Sequence, residues 1–149
     1  METKTILAID CGTQSLRALI FAENGELLAR DQQSYRPYVS PKPGWAEQDP
    51  EIYWTCLAAA CKCLKQKHPQ AFAAIAGVGV TSQRASMINV DKAGQVLRPA
   101  IIWLDQRTAD PVFGAKGIFN SVLKLTGLGK KLLNIQTQAK GSWIVQNQP

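Results

Sequence analysis

No stretch of the 149 residues comes near the ~20 continuous apolar residues needed to span a bilayer. The N-terminus, Met1-Glu2-Thr3-Lys4, runs straight into an apolar segment ending at Asp10. It lacks the basic region, long apolar stretch and small-residue cleavage site of a secretory leader. A membrane or secreted protein is therefore not expected, and a cytoplasmic one is. Glycine and proline, 11 and 8 residues, are too sparse for a low-complexity chain, and the 46% hydrophobic content is too high for disorder. Acids are missing altogether after Asp110: residues 111–149 carry five lysines and no Asp or Glu, against twelve Lys/Arg and eleven acids in residues 1–110. Such a basic end is either a tail for nucleic acid or an acidic partner, or a segment that faces acids elsewhere. Its apolar spacing and few aromatics favour the second reading, so nucleic acid is disfavoured as a partner.

Four cysteines are present, Cys11, Cys56, Cys61 and Cys63, and the last three fall in one predicted helix. Residues two apart on a helix point roughly 200° away from each other, so Cys61 and Cys63 cannot grip one ion. Reduced thiols in a cytoplasmic protein are the better reading. The length suits a single compact domain.

Thr5–Asp10 reads as a buried strand, and Leu16–Phe21 as a second. Asn24-Gly25 then leads into Glu26–Asp31, a hairpin signal because both turn residues accept positive φ. A three-stranded antiparallel meander is predicted. Residues 35–49 are rich in proline and polar groups and form a loop. Asp49-Pro50-Glu51 then has the chemistry of a helix start, an N-cap acid followed by proline at the first helical position. Ile52, Cys56, Ala60 and Leu64 recur every four residues and make one apolar face, with Tyr53 and Leu57 beside it. His68-Pro69 stops the helix. Further strands are predicted over Ile75–Thr81, Ala85–Val90 and Ala100–Trp103, and helical pieces over Ile118–Thr126, Lys130–Ile135 and Thr137–Val145. The order ββ-β-α-β-β-β gives a mixed sheet with flanking helices, an α/β fold.

The segment Asp10-Cys11-Gly12-Thr13-Gln14-Ser15-Leu16-Arg17 carries the most chemistry. A strand ends in a carboxylate, a glycine-bearing tip follows with hydroxyls and an amide, and a cation heads the next strand. Gly12 lets the backbone approach a ligand, and the N–H groups with the Thr13 and Ser15 hydroxyls can cradle phosphate oxygens. Asp10 is a hard oxygen donor suited to a hydrated Mg²⁺, and Arg17 can meet phosphate charge. An ordinary tight turn whose aspartate bonds its own loop would use the same residues. Gly77-Val78-Gly79 lacks the third glycine of a dinucleotide fingerprint, and Thr126–Lys131 lacks a phosphate-loop frame and reads as a helix break.

Asp10–Arg17 resembles the first phosphate motif of the FGGY family of carbohydrate kinases, within the actin/hexokinase/heat-shock-ATPase superfold. Three further stretches agree in order: Gly44-Trp45-Ala46-Glu47-Gln48-Asp49-Pro50, Gly79-Val80-Thr81-Ser82-Gln83-Arg84, and Leu97–Arg107 with its Trp103-Leu104-Asp105-Gln106-Arg107 end. The resemblance implies a ribonuclease H-like domain, a second such domain downstream, and ATP with Mg²⁺ in a cleft between them. It implies transfer of the γ-phosphoryl group to a hydroxyl of a sugar or polyol. By matching positions, Asp10 would serve the metal. Gly12, Thr13, Gln14, Ser15 and Arg17 would line the phosphates, and Gln83, Arg84, Trp103 and Asp105 the acceptor. Arg84 is alternatively a surface cation and Trp103 plain core, and Glu47 and Gln48 shape the helix entry.

In family members acting on glycerol an acid follows the arginine of the acceptor loop; here Ala85 does, and Leu104–Arg107 looks more like ketopentose-type members. A ketopentose acceptor is expected over glycerol. Residues 1–149 are read as a partial N-terminal domain, with a core at 4–110, a basic helical segment at 111–149, and the second domain and catalytic-base aspartate absent. On that reading the chain alone is inactive, its partner is the rest of the kinase chain, and uncovered apolar surface favours self-association. The competing class is a non-catalytic binding or assembly module that uses the basic tail.

Overall fold

A computed structural model describes residues 4–36, 38–111 and 128–148. The chain divides into two compact units, one formed by Met1–Tyr38 with Gln48–Trp103 and the other by Val39–Glu47 with Leu104–Pro149.

The first unit is built on a four-stranded sheet. β1 (Thr5–Cys11), β2 (Ser15–Ala22) and β3 (Leu27–Ser34) form the expected antiparallel meander, in a register that sets Asp10 opposite Arg17 and Leu7 opposite Ile20. Alternation decides which face is buried: Thr5, Leu7 and Ile9 of β1 and Leu16, Ala18 and Ile20 of β2 are buried. The turn at Asn24-Gly25 uses positive φ only at Gly25 (+86°), not at both residues. The Gly25 N–H donates to the Ala22 carbonyl and the Ala22 N–H to that of Glu26, each at 2.9 Å, so the loop has three residues rather than two. β4 (Glu47–Gln48) and β6 (Ala100–Ile101) are short strands.

Helix α1 (Glu51–Lys67) covers the buried face, with Ala60 and Leu64 fully inside and Ile52, Cys56, Leu57 and Cys61 packed beside them. Fully burying a side chain such as Leu64 is worth about 1.5–3 kcal/mol. The helix starts one residue later than expected, with Pro50 rather than Asp49 at the N-cap, although the Asp49 carboxylate still accepts the Glu51 amide at 3.0 Å. His68 ends the helix, but Pro69 opens a further short one, α2 (Pro69–Ala73). β5 (Ile75–Thr81) then pairs parallel to β1, giving the order β3-β2-β1-β5 and a mixed sheet. The strand expected over Ala85–Val90 does not form. Ala85 sits at φ +63°, which turns the chain out of an extended path, and only single bridges follow, Met87 with Ile101 and Val90 with Val96. The strand expected over Ala100–Trp103 stops at Ile101, because the Trp103 N–H turns to the Ser86 hydroxyl.

In the second unit, α3 (Leu128–Thr137) and α4 (Lys140–Asn147) replace the two helical pieces expected at 130–135 and 137–145, with the break at Gln138–Ala139. Gly129, Lys130 and Lys131 lie inside α3 rather than in a break. The expected helix at Ile118–Thr126 lies outside the described residues. α4 is anchored by Trp143, which is buried, and by Gln146, whose amide exchanges two 2.9 Å hydrogen bonds with the Asp110 backbone. No helix among the described residues is long and apolar enough to cross a membrane.

Candidate functional site

The bend between β1 and β2 is held from behind by its carbonyls. The Gln83 side-chain amide donates to the Gly12 carbonyl at 2.8 Å, that of Gln48 to the Thr13 carbonyl at 3.4 Å, and the Tyr35 N–H to the Gln14 carbonyl at 2.8 Å. The Gly12 N–H closes the bend on the Ser15 carbonyl at 3.1 Å. The Thr13 and Gln14 N–H groups, by contrast, have no acceptor among the described residues. Half-buried Thr13 and exposed Gln14 thus present two unmatched donors at a tip whose acceptors are all engaged. Successive free amides of this kind make an anion-binding concavity. Gly12 leaves the bend its tight closure: a Cβ there would lie 3.1 Å from the Ser15 carbonyl oxygen, which would have to shift by a few tenths of an ångström.

Asp10 stands at the end of β1 with its side chain 45% exposed. One oxygen accepts from Arg17 Nη1 at 2.8 Å and the other from the Thr81 hydroxyl at 3.0 Å. Arg17, 48% exposed, also reaches Gln32 at 3.4 Å. Each Asp10 oxygen keeps a lone pair. A single half-exposed carboxylate beside open amides fits a Mg²⁺ that is otherwise ligated by water and phosphate. Ser15, expected to offer its hydroxyl to phosphate, is buried at the start of β2.

Of the acceptor-side candidates, Trp103 is 51% exposed and therefore not plain core. Its Nε1–H donates to the Thr13 hydroxyl at 2.7 Å. Gln83 faces inward: besides Gly12, its amide donates to the Tyr53 hydroxyl at 3.3 Å, and its Oε1 accepts from Ser86 at 3.1 Å. Arg84 is exposed and has no hydrogen-bond or ion-pair partner among the described residues. A cavity of about 320 Å³ opens here, lined by Cys11, Tyr53, Ser82, Gln83, Ser86 and Ile88. Ser86 carries no signal in the sequence, while Tyr53 is expected there only beside the apolar helix face and Gln48 only at the helix entry. Tyr53 is carried on the apolar face of α1, and its hydroxyl donates to Gln48 Oε1 at 2.7 Å. Burial pushes the Tyr53 hydroxyl above its ordinary value, against an opposing hydrogen bond from Gln83. Burial, with the bond to Cys11, also raises Tyr35 strongly, and it raises the Cys56 and Cys61 thiols, so these groups stay protonated at neutral pH.

Asp105 lies in the second unit, with a fully buried side chain. Arg107 grips it through Nε at 2.9 and 2.8 Å and through Nη2 at 2.6 Å, and the same Nη2 reaches Glu47 at 2.9 Å. The Ala46 N–H adds a bond to Asp105 at 2.8 Å. The guanidinium carbon lies 3.9 Å from the ring centre of Trp45 and 4.6 Å from that of Trp143. Burial raises the Asp105 pKa, but the bonds from Arg107 and the Ala46 amide outweigh it and hold the carboxyl below its ordinary range. Lys140 Nζ donates to the Asp105 carbonyl at 2.6 Å and sits 3.5 Å from its carboxylate, so one lysine of the basic tail does face an acid.

Residues 5–149 match the model of the FGGY family of carbohydrate kinases, N-terminal domain. The chain is 33% identical over 150 residues to a glycerol kinase of Rhodopirellula baltica, covering 99% of this chain and 27% of that protein. It is 38% identical over 148 residues to glycerol kinase 1 of Pseudomonas aeruginosa, covering 97% and 29%. Among solved structures, xylulose kinase from Rhodospirillum rubrum aligns with a TM-score of 0.67 at 30% identity, over 73% of this chain and 22% of that one. The chain thus spans less than a third of the length of these relatives, and its fold is the ribonuclease H-like, actin-type ATPase class expected from sequence. The match over residues 5–149, on a sheet of the same fold, leads to one conclusion: this chain belongs to the FGGY family of carbohydrate kinases.

Proposed function

We propose that this chain supplies the phosphate-facing part of an ATP-dependent kinase that phosphorylates a hydroxyl of a sugar or polyol. The observation that carries the reading is the bend itself, with its carbonyls tied back while the Thr13 and Gln14 amides stay open. Phosphoryl transfer is mostly positioning and charge stabilisation, so rigid, preorganised donors are what the chemistry asks for. Asp10 would hold Mg²⁺, which neutralises phosphate charge when bound, and Arg17 is free to turn from Asp10 to a phosphate oxygen. Arg84 and the open ring of Trp103 are the acceptor-side groups. Gln83 is assigned to bracing the bend, because its polar atoms are already engaged, and Asp105 to anchoring residues 104–107. The 149-residue chain alone is inactive on this proposal, since the general base and adenine site are supplied by further polypeptide.

The acceptor is a ketopentose rather than glycerol, because Ala85 offers no carboxylate to bind paired hydroxyls. A glycerol acceptor is the second reading, favoured by sequence relatives that are glycerol kinases. The test is ADP release with a panel of glycerol and pentuloses, using a chain that carries the downstream residues of its relatives. Asp10→Ala should lower turnover at least about 10³-fold with the circular dichroism spectrum unchanged. Turnover that survives Asp10→Ala contradicts the proposal, and turnover confined to glycerol reverses the choice of acceptor.

A further inference from the structure

Trp103 is joined to the bend twice. Its indole N–H, which can only donate, gives its proton to Thr13 Oγ1 at 2.7 Å. Its backbone N–H donates to Ser86 Oγ at 3.1 Å, and the Ser86 hydroxyl donates to Gln83 Oε1 at 3.1 Å. Gln83 Nε2 in turn donates to the Gly12 carbonyl at 2.8 Å. Gly12 and Thr13 are covalent neighbours, so the bonds form a closed circuit from Trp103 through Ser86, Gln83 and the bend back to Trp103.

This arrangement has two consequences. The Thr13 hydroxyl accepts from the indole, so its own proton must point elsewhere, and no acceptor among the described residues takes it. The hydroxyl is thereby fixed as a third donor alongside the Thr13 and Gln14 amides. Further, Trp103 is half in solvent, so burial does not set its position; its two hydrogen bonds do.

We propose that Trp103 is a positioning residue of the phosphate seat: its indole N–H orients the Thr13 hydroxyl toward the phosphoryl group, and through Ser86 and Gln83 its backbone holds the Gly12 carbonyl. The acceptor wall and the phosphate seat are then one mechanical unit, and a molecule resting on the open face of Trp103 is felt in the bend. The inference rests on the reading of residues 11–15 as a phosphate seat.

The test is a titration of the ¹⁵N-labelled chain with Mg²⁺ and tripolyphosphate, following the Thr13 and Gln14 amides and the Trp103 indole resonance, assigned by its loss in Trp103→Phe. All three signals should move with one midpoint. Thr13→Val and Trp103→Phe should each weaken binding about 3- to 10-fold, the scale of one hydrogen bond. The double variant should be no weaker than either single one, while Thr13→Ser keeps the parent affinity. Amides that respond while the indole does not, or single effects that multiply in the double variant, overturn the proposal and leave the seat standing. Thr13 and Gln14 amides that never respond remove the seat itself and the proposal with it.

Discussion

Replacing Arg107 by alanine should unfold much of the second unit, and the structure sets the size of the effect. Arg107 is 3% exposed at its side chain, Asp105 is 0% and Glu47 is 9%, so the truncation takes the guanidinium away from two buried carboxylates, of which Asp105 keeps Lys140 Nζ at 3.5 Å as a more distant cation. Breaking a buried pair from one side costs about 3–5 kcal/mol. The guanidinium also packs against two indoles, and a desolvated cation–π contact is worth about 2 kcal/mol, although such terms do not add to the first. A loss of about 4 kcal/mol is comparable with the whole stability of a marginal domain. For a chain of this size it lowers the melting midpoint by roughly 10 °C. Thermal unfolding followed by near-ultraviolet dichroism is the suitable assay, because Trp45 and Trp143 meet edge-to-face at 5.3 Å and the guanidinium packs against both rings. Arg107→Lys should recover part of the loss, since a lysine keeps the charge but not the fork. In a double-mutant cycle with Asp105→Asn the effects should be strongly non-additive. A midpoint within about 3 °C of the parent for Arg107→Ala, or strict additivity, would refute the energetic role given to the Arg107–Asp105–Glu47 bonds.

Three further outcomes follow from the same geometry. Gly12→Ala should weaken Mg²⁺-tripolyphosphate binding at least about 10-fold while shifting the melting midpoint little, because its Cβ meets the Ser15 carbonyl at 3.1 Å and displaces the bend; calorimetric titration unchanged from the parent would count against the tight bend. Acid should weaken the second unit. The Asp105 pKa is held below its ordinary 3.8, so its contribution is fully present above that value and drains away as pH falls through the lowered one, and Asp105→Asn should flatten this dependence in melting curves. Val78 and Val80 on the edge strand β5 are 62% and 68% exposed, so the chain should self-associate at high concentration, and Val80→Lys should reduce that in light scattering without lowering the melting midpoint.

The meander was legible in the sequence because alternation in Thr5–Asp10 and Leu16–Phe21 is dictated by one buried face, and Asn24-Gly25 announces its own turn. The Ala85–Val90 segment was not, because an apolar, β-prone stretch carries no sign that Ala85 adopts φ +63°. Asp10, Gly12 and Thr13 could be picked out as chemistry-bearing residues, but not what holds them. The braces come from Gln48, Tyr53, Gln83 and Trp103, which bond across 30 to 90 residues of sequence. Such pairings have no local signature. The same is true of the two motifs Gly44–Pro50 and Leu97–Arg107. Their partnership appears only when Gln106 bonds Gly44 at 2.8 Å and Arg107 bonds Glu47 at 2.9 Å. The burial of Ser15 was not legible either, because a hydroxyl near a glycine turn looks the same in sequence whether the residue is exposed or, as the first of β2, buried.

A crystal of a chain that carries the downstream residues of its relatives, grown with Mg²⁺ and a non-hydrolysable ATP analogue, addresses the central claim directly. Terminal phosphate oxygens should lie about 2.7–3.2 Å from the Thr13 and Gln14 amide nitrogens, with the metal beside Asp10. A nucleotide bound elsewhere, with those two amides facing only solvent, would contradict it.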